Sequence, residues 1–132
     1  MSNGLKKQDY SFRNLRGANF HDLTFEGVDF SNADLSEANL DNCLCIDCDF
    51  SEAQLKNASL KGTDFQGCSL RGADISGANL YFALLEQADL TDIIYDETTQ
   101  YFELHCPQEG AFIGYKKCFD FRIVQLLTQS SS

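Results

Sequence analysis

The sequence predicts an all-β protein, specifically a narrow, solid β-helix. Three observations carry this. A five-residue unit repeats without a break from 8–12 to 88–92, 17 times in all. Its central residue is Leu, Phe, Ile or Tyr at 16 of the 17 centres between Tyr10 and Leu90, and Cys45 at the other. Two residues earlier it is small: Ala at nine units, and Cys at 43, 48 and 68. A period of five fits neither the 3.6 of a helix nor the 2 of a long strand. It fits a chain that turns a corner every five residues.

With the centre numbered i, positions i−2 and i lie two apart on a short extended segment, so both point inward. Position i−1 is mostly Asp or Asn. Position i+2 is Gly at 17, 27, 62, 67, 72 and 77, which suits a corner needing unusual backbone angles. No unit buries its face alone, so successive coils must stack.

Taken in order, residues 1–7 read as a lead-in without the apolar core of a signal segment. Residues 8–95 read as the β-helix. Gln8 and Arg13 stand at i−2, where the core wants Ala, so the first coil is expected to be frayed or to serve as a cap. The period decays after Asp92, and 96–127 read as a capping segment. Within it, Cys106-Pro107-Gln108-Glu109-Gly110 reads as a turn, and 111–115 and 121–127 read as strands of a small β cap. Residues 128–132 read as a disordered tail.

Units such as Ala33-Asp34-Leu35-Ser36-Glu37, Ala38-Asn39-Leu40-Asp41-Asn42 and Ala73-Asp74-Ile75-Ser76-Gly77 resemble the A(D/N)LXX signature of the pentapeptide-repeat family. The resemblance covers about two-thirds of the chain. It implies a right-handed quadrilateral β-helix with four units per coil, here about four coils standing about 20 Å tall at the usual strand spacing. The stretch CPQEGAFIGYKKC is similar to a module that follows the repeats in some bacterial members.

The net charge of −10 and pI near 4.4 argue against direct nucleic-acid binding, which needs a basic stripe. No stretch reaches the ~18 apolar residues of a membrane helix. The cytoplasm is the expected location. Of the six cysteines, Cys43, Cys45 and Cys48 form a CxCxxC string, but all three fall on inward positions and read as core rather than metal ligands. Cys48 and Cys68 are one coil apart and within reach of a disulfide. A reduced thiol ladder is the expected state of Cys48 and Cys68 in a cytoplasmic protein, and whether Cys106 and Cys118 meet is left open by the sequence. His21 and His105 do not suggest a paired site. A side-chain-filled bore leaves no concave site with converging polar groups, so no catalytic residue, cofactor or metal is expected.

Two surface features lie outside what the repeat requires. Between Arg16 and Lys56 there is no Lys or Arg, yet there are nine acids. Asp29, Asp34 and Asp49 sit at i−1, where a short acid bonds nearby backbone N–H groups. The other six, Asp22, Glu26, Glu37, Asp41, Asp47 and Glu52, form a candidate contact face for a basic partner. Leu44, Ile46, Tyr81, Phe82 and Leu84 occupy outward slots and form a candidate apolar docking patch. The C-terminal segment or a second copy would cover it, which makes a homodimer through the C-terminal end an expectation. The function expected is that of a non-enzymatic protein-interaction scaffold. The resemblance also implies an alternative, a DNA mimic directed at gyrase. Units 8–92 carry 15 acids and five bases, or about one net charge per ~2 Å of rod, near the ~1.7 Å of duplex DNA. An enzyme acting through the C-terminal segment is a distant third reading.

Overall fold

The computed structural model describes residues 4–102, and every described element is a strand, a bridge or a turn. Parallel bridges join residues 20 apart on four columns, among them Asp9 to Asp29, Asn14 to Asp34 and Asn19 to Asn39. On the fourth column, β1 (Gly4–Lys6) pairs with β2 (Thr24–Glu26), and β2 with β3 (Leu44–Ile46). The chain is therefore a four-sided β-helix, as the family resemblance implies. Every unit centre from Phe25 to Leu90 is buried, and so are the Ala and Cys residues at i−2 from Ala33 to Ala83. The large centres stack coil on coil: Phe30 and Phe50 lie with ring centroids 4.9 Å apart and planes 14° from parallel.

The sequence of each unit is explained by where its backbone donors go. In the unit around Phe30, Asp29 N–H donates to Gln8 O in the preceding coil, and Phe30 N–H to Asp49 O in the next. Asn32 N–H donates to Ser51 O, and Ala33 N–H turns back to Phe30 O. The fifth donor, Ser31 N–H, faces no neighbouring carbonyl and goes to Asp29 Oδ1 at 2.8 Å. This last bond is why i−1 favours Asp and Asn. It recurs at Asp34 to Ser36 N–H, Asn39 to Asp41 N–H and Asp49 to Ser51 N–H, at 2.8–3.0 Å.

Position i+2 has positive φ at every unit from Lys7 to Asp92 except Gln87, and 11 of these residues are not glycine. Gly72 shows what glycine adds. A Cβ there would collide with the Glu52 carboxylate, which folds over it from the coil below.

The ends differ from the boundaries the sequence suggests. Gly4–Lys6, read as part of a lead-in, is already wall. At the other end, Asp74 bridges Ile94 at an offset of 20, but β4 (Asn79–Tyr81) pairs with β5 (Gln100–Phe102) at an offset of 21. One extra residue is absorbed at the corner 95–99. There Asp96 Oδ1 accepts from Thr98 N–H at 2.9 Å, and Thr99 takes the i−2 slot beneath the buried Tyr101. The wall thus continues to Phe102. The proposed strands 111–115 and 121–127, the tail 128–132, Cys106, Cys118 and His105 lie outside the described residues.

Candidate functional site

The register decides which surface residues are neighbours. The six acids proposed as one face do not share one. Because the chain turns a corner at each unit, acids in successive units are dealt to successive corners. Asp22 and Asp41 lie at the corner after Phe20 and Leu40, Glu26 and Asp47 at the next, Glu52 at the third, and Glu37 at the fourth. The band is a ring around the rod rather than a docking face.

Several of these acids also have structural work. Glu26 lies 3.6 Å from Lys6 Nζ, and Glu37 lies 3.8 Å from Arg16. Asp41 accepts the Ser59 hydroxyl at 2.5 Å and Lys61 N–H at 3.0 Å. Asp22 meets His21 Nδ1 at 2.8 Å. Asp47 and Glu52 fold over Gly67 and Gly72.

A different set does align. Asp9, Asp29, Asp49, Ser69 and Asp89 bridge in sequence down a single side, a column of four carboxylates interrupted by Ser69. Asp47 and Glu52 stand at the two edges of that side, in the coil of Asp49. The carboxylates are held by their own unit: Ser11 N–H and Oγ reach Asp9 Oδ1 at 2.9 and 2.6 Å, and Ser31 Oγ reaches Asp29 Oδ1 at 2.6 Å. Bonds from the Ser11 hydroxyl and amide hold Asp9 below the ordinary carboxyl range. The same groups of Thr91 do this for Asp89. The column was legible as acids at 9, 29, 49 and 89. A reading along the chain, rather than in steps of 20, passes over it.

The apolar patch is only partly contiguous. Leu44 and Leu84 do share a column, but Asp64 is bridged between them. Leu44, Ile46 and Tyr81 are half-buried, whereas Phe82 and Leu84 are 51% and 52% exposed. Tyr81 and Phe82 meet edge to face at 6.3 Å. Two further exposed apolar residues, Phe12 at 77% and Ile94 at 50%, stand on other sides.

Cys43, Cys45, Cys48 and Cys68 are free thiols buried in the bore, at the inward positions the register assigns them. They are not idle there. Cys48 Sγ donates to Phe25 O at 3.4 Å, Cys68 Sγ to Cys45 O at 3.2 Å, and Thr63 Oγ1 to Leu40 O at 2.8 Å. The i−2 side chain thus reaches down to the carbonyl of a centre in the preceding coil. Burial pushes the Cys43 thiol up to about 11. Among the described residues, no group of three or more His, Cys, Asp or Glu is arranged to hold a metal ion. A shallow polar groove lined by Lys56, Asn57, Asp74, Ser76, Asp96 and Thr98 opens beside the lengthened corner, with Lys56 Nζ 3.7 Å from Asp74.

The profile described as pentapeptide repeat region matches residues 18–94. The chain belongs to the pentapeptide-repeat family. A second profile, described as a family of unknown function (DUF5758), matches residues 102–132. No curated protein matches the chain. Among solved structures, the fold is similar to a pentapeptide repeat protein from the Arabidopsis thaliana thylakoid lumen, with TM-score 0.53 and 20% identity over 92% of this chain and 74% of that one. It is also similar to HetL of the cyanobacterium Nostoc sp. strain PCC 7120, with TM-score 0.51 and 22% identity over 68% of this chain and 53% of that one. Rfr23 of the cyanobacterium Cyanothece 51142 matches at TM-score 0.47 and 27% identity, over 75% of this chain. The chain spans 64% of the length of Rfr23 and 53% of HetL. Among the described residues, no helix is long and apolar enough to cross a membrane.

Proposed function

We propose that this pentapeptide-repeat protein is a non-catalytic scaffold that presents a rigid surface to a protein partner. The observation that supports it is the filled bore. Every centre from Phe25 to Leu90 is buried, so chemistry is left to outward side chains that the register holds in fixed columns. The best contact is the acidic side made by Asp9, Asp29 and Asp49 with Asp47 and Glu52 at its edges, and its complement is a basic protein surface. The free buried thiols suit a reducing compartment such as the cytoplasm.

The column can be tested without unfolding it. Asn serves at i−1 in other units, where Asn39 caps Asp41 N–H, so Asp9→Asn, Asp29→Asn and Asp49→Asn together remove charge and keep the turn bond. A pull-down from lysate with this variant and with Asp22→Asn/Glu37→Gln as control should lose the partner only in the former. Equal recovery from both would reject the acidic side.

A second reading, mimicry of DNA toward gyrase, draws on the same column, where Asp9, Asp29 and Asp49 follow one another at the ~4.8 Å strand spacing. It requires that micromolar protein inhibit or protect gyrase in a supercoiling assay, and that the triple Asn variant do so less.

A further inference from the structure

Three of the buried thiols are neighbours. Cys45, Cys48 and Cys68 are each at most 2% exposed, and Cys68 Sγ lies 3.2 Å from Cys45 O. Cys48 and Cys68 hold the same slot in adjacent coils, as the bridge between Asp49 and Ser69 fixes. Their Cα atoms are therefore one strand spacing apart, about 4.8 Å, inside the 4.4–6.8 Å span of disulfides. Cys68 Sγ points down to Cys45 O, toward the coil of Cys48. To meet it, the Cys48 side chain turns up from its bonds to Phe25 O at 3.4 Å and Ile46 O at 3.5 Å.

We propose that Cys48 and Cys68 form an oxidisable pair, converted by a peroxide to a disulfide that staples adjacent coils without moving the backbone. The Cys48 sulfur attacks one peroxide oxygen, the O–O bond breaks, and water leaves with the thiol proton. The resulting sulfenic acid is displaced by the Cys68 sulfur, and a second water carries off the hydroxyl and the Cys68 proton. Two thiols are oxidised by two electrons and one hydrogen peroxide is reduced to two waters.

Gly27 and Gly67 are exposed on the one corner column that leads into this side, below and above Asp47, and the oxidant suited to so buried a pair is small and neutral.

The test uses the full chain, folded, treated with hydrogen peroxide, alkylated in denaturant and digested with trypsin. Cleavage after Arg16, Lys56, Lys61 and Arg71 separates 17–56, which carries Cys43, Cys45 and Cys48, from 62–71, which carries Cys68. The expected product is those two peptides joined and lighter by two hydrogens, with fragment ions placing the bond on Cys48. Cys48→Ala and Cys68→Ala, which install the commonest i−2 residue, should each abolish it. Absence of the joined peptide in folded wild-type protein, a bond on Cys43 or Cys45 instead, or persistence in either variant would overturn the proposal.

Discussion

The first coil and the coils above it are written in the same five-residue unit, yet they are packed very differently. Leu5, Tyr10, Leu15 and Phe20 are only half-buried, while Phe25, Phe30, Leu35 and Leu40, one coil further on, are fully enclosed. Gln8 and Arg13, at i−2 in the first coil, are exposed, and the Arg13 guanidinium sits 5.6 Å from the centre of the Tyr10 ring. The difference teaches that a unit supplies half of a core. Centres of the first coil stay half-buried while those one coil further on, with described coils on both sides, are enclosed, so stability resides in the contacts between coils as much as in the units.

The largest way to break the comparison is truncation of a centre. Phe50→Ala should cost about 3–5 kcal/mol, because the ring is stacked on Phe30 and meets Phe65 at 5.6 Å. Leu15→Ala, half-exposed at the end, should cost about 1 kcal/mol. Urea unfolding midpoints measure both. Equal losses would mean that the first coil is covered in solution.

Glycine gives the next contrast. Gly17 and Gly72 share a φ of +71°, but a Cβ at Gly17 meets nothing within 4 Å, whereas at Gly72 it meets the Glu52 carboxylate. Gly17→Ala should cost about 1 kcal/mol from backbone strain alone. Gly72→Ala should cost more, and Glu52→Ala should bring it back to the Gly17 value in thermal melts.

Acid should act through the turn carboxylates. Hydrogen bonds from Ser36 and Thr91 hold Asp34 and Asp89 below the usual carboxyl range. A carboxyl whose folded pKa is depressed contributes stability above its unfolded pKa, about 3.9, and loses it as pH falls through the lower folded value. The melting temperature should therefore be flat from pH 7 to about 5 and drop below about 4. An Asp34→Asn/Asp89→Asn variant should drop less steeply. Both residues are only half-buried, so solvent screening keeps the effect modest.

The smallest effect expected is at the cap. Arg13→Ala should lose about 0.5–1 kcal/mol with its contact to Tyr10. Arg13→Lys, which keeps the charge, should lose less. Denaturant titration resolves the pair only if the slopes match.

Much of the wall was legible in the sequence because one period governs both core and turn. The inward Ala, Cys and large apolar positions, the Asp–amide bonds at Asp29, Asp34 and Asp49, and the burial of the CxCxxC string all followed from counting in fives. The ends were less legible. Leu5 keeps the count and pairs with Phe25, but Asn3 stands two residues before it where the core has Ala, and Tyr101 is out of step by one residue. The surface was misread for another reason. On a coil of 20 residues, acids ten apart in sequence lie on opposite sides, while Asp29 and Asp49 are neighbours.

The extra residue at 95–99 carries a consequence for how such a chain can change length. Beyond it the old count fails, yet Gln100–Phe102 still meet Asn79–Tyr81 in register and Tyr101 still fills the bore. At this corner the added length is held by bonds within the corner itself, Thr99 N–H to Asp96 O and Thr98 N–H to Asp96 Oδ1. Chain added there is spliced outside the ladder, whereas the same residue added within Asn79–Tyr81 would turn the inward side chains out. The corners are thus the natural graft points of the rod, where a loop with a binding task of its own can be inserted and the stack beneath it left intact.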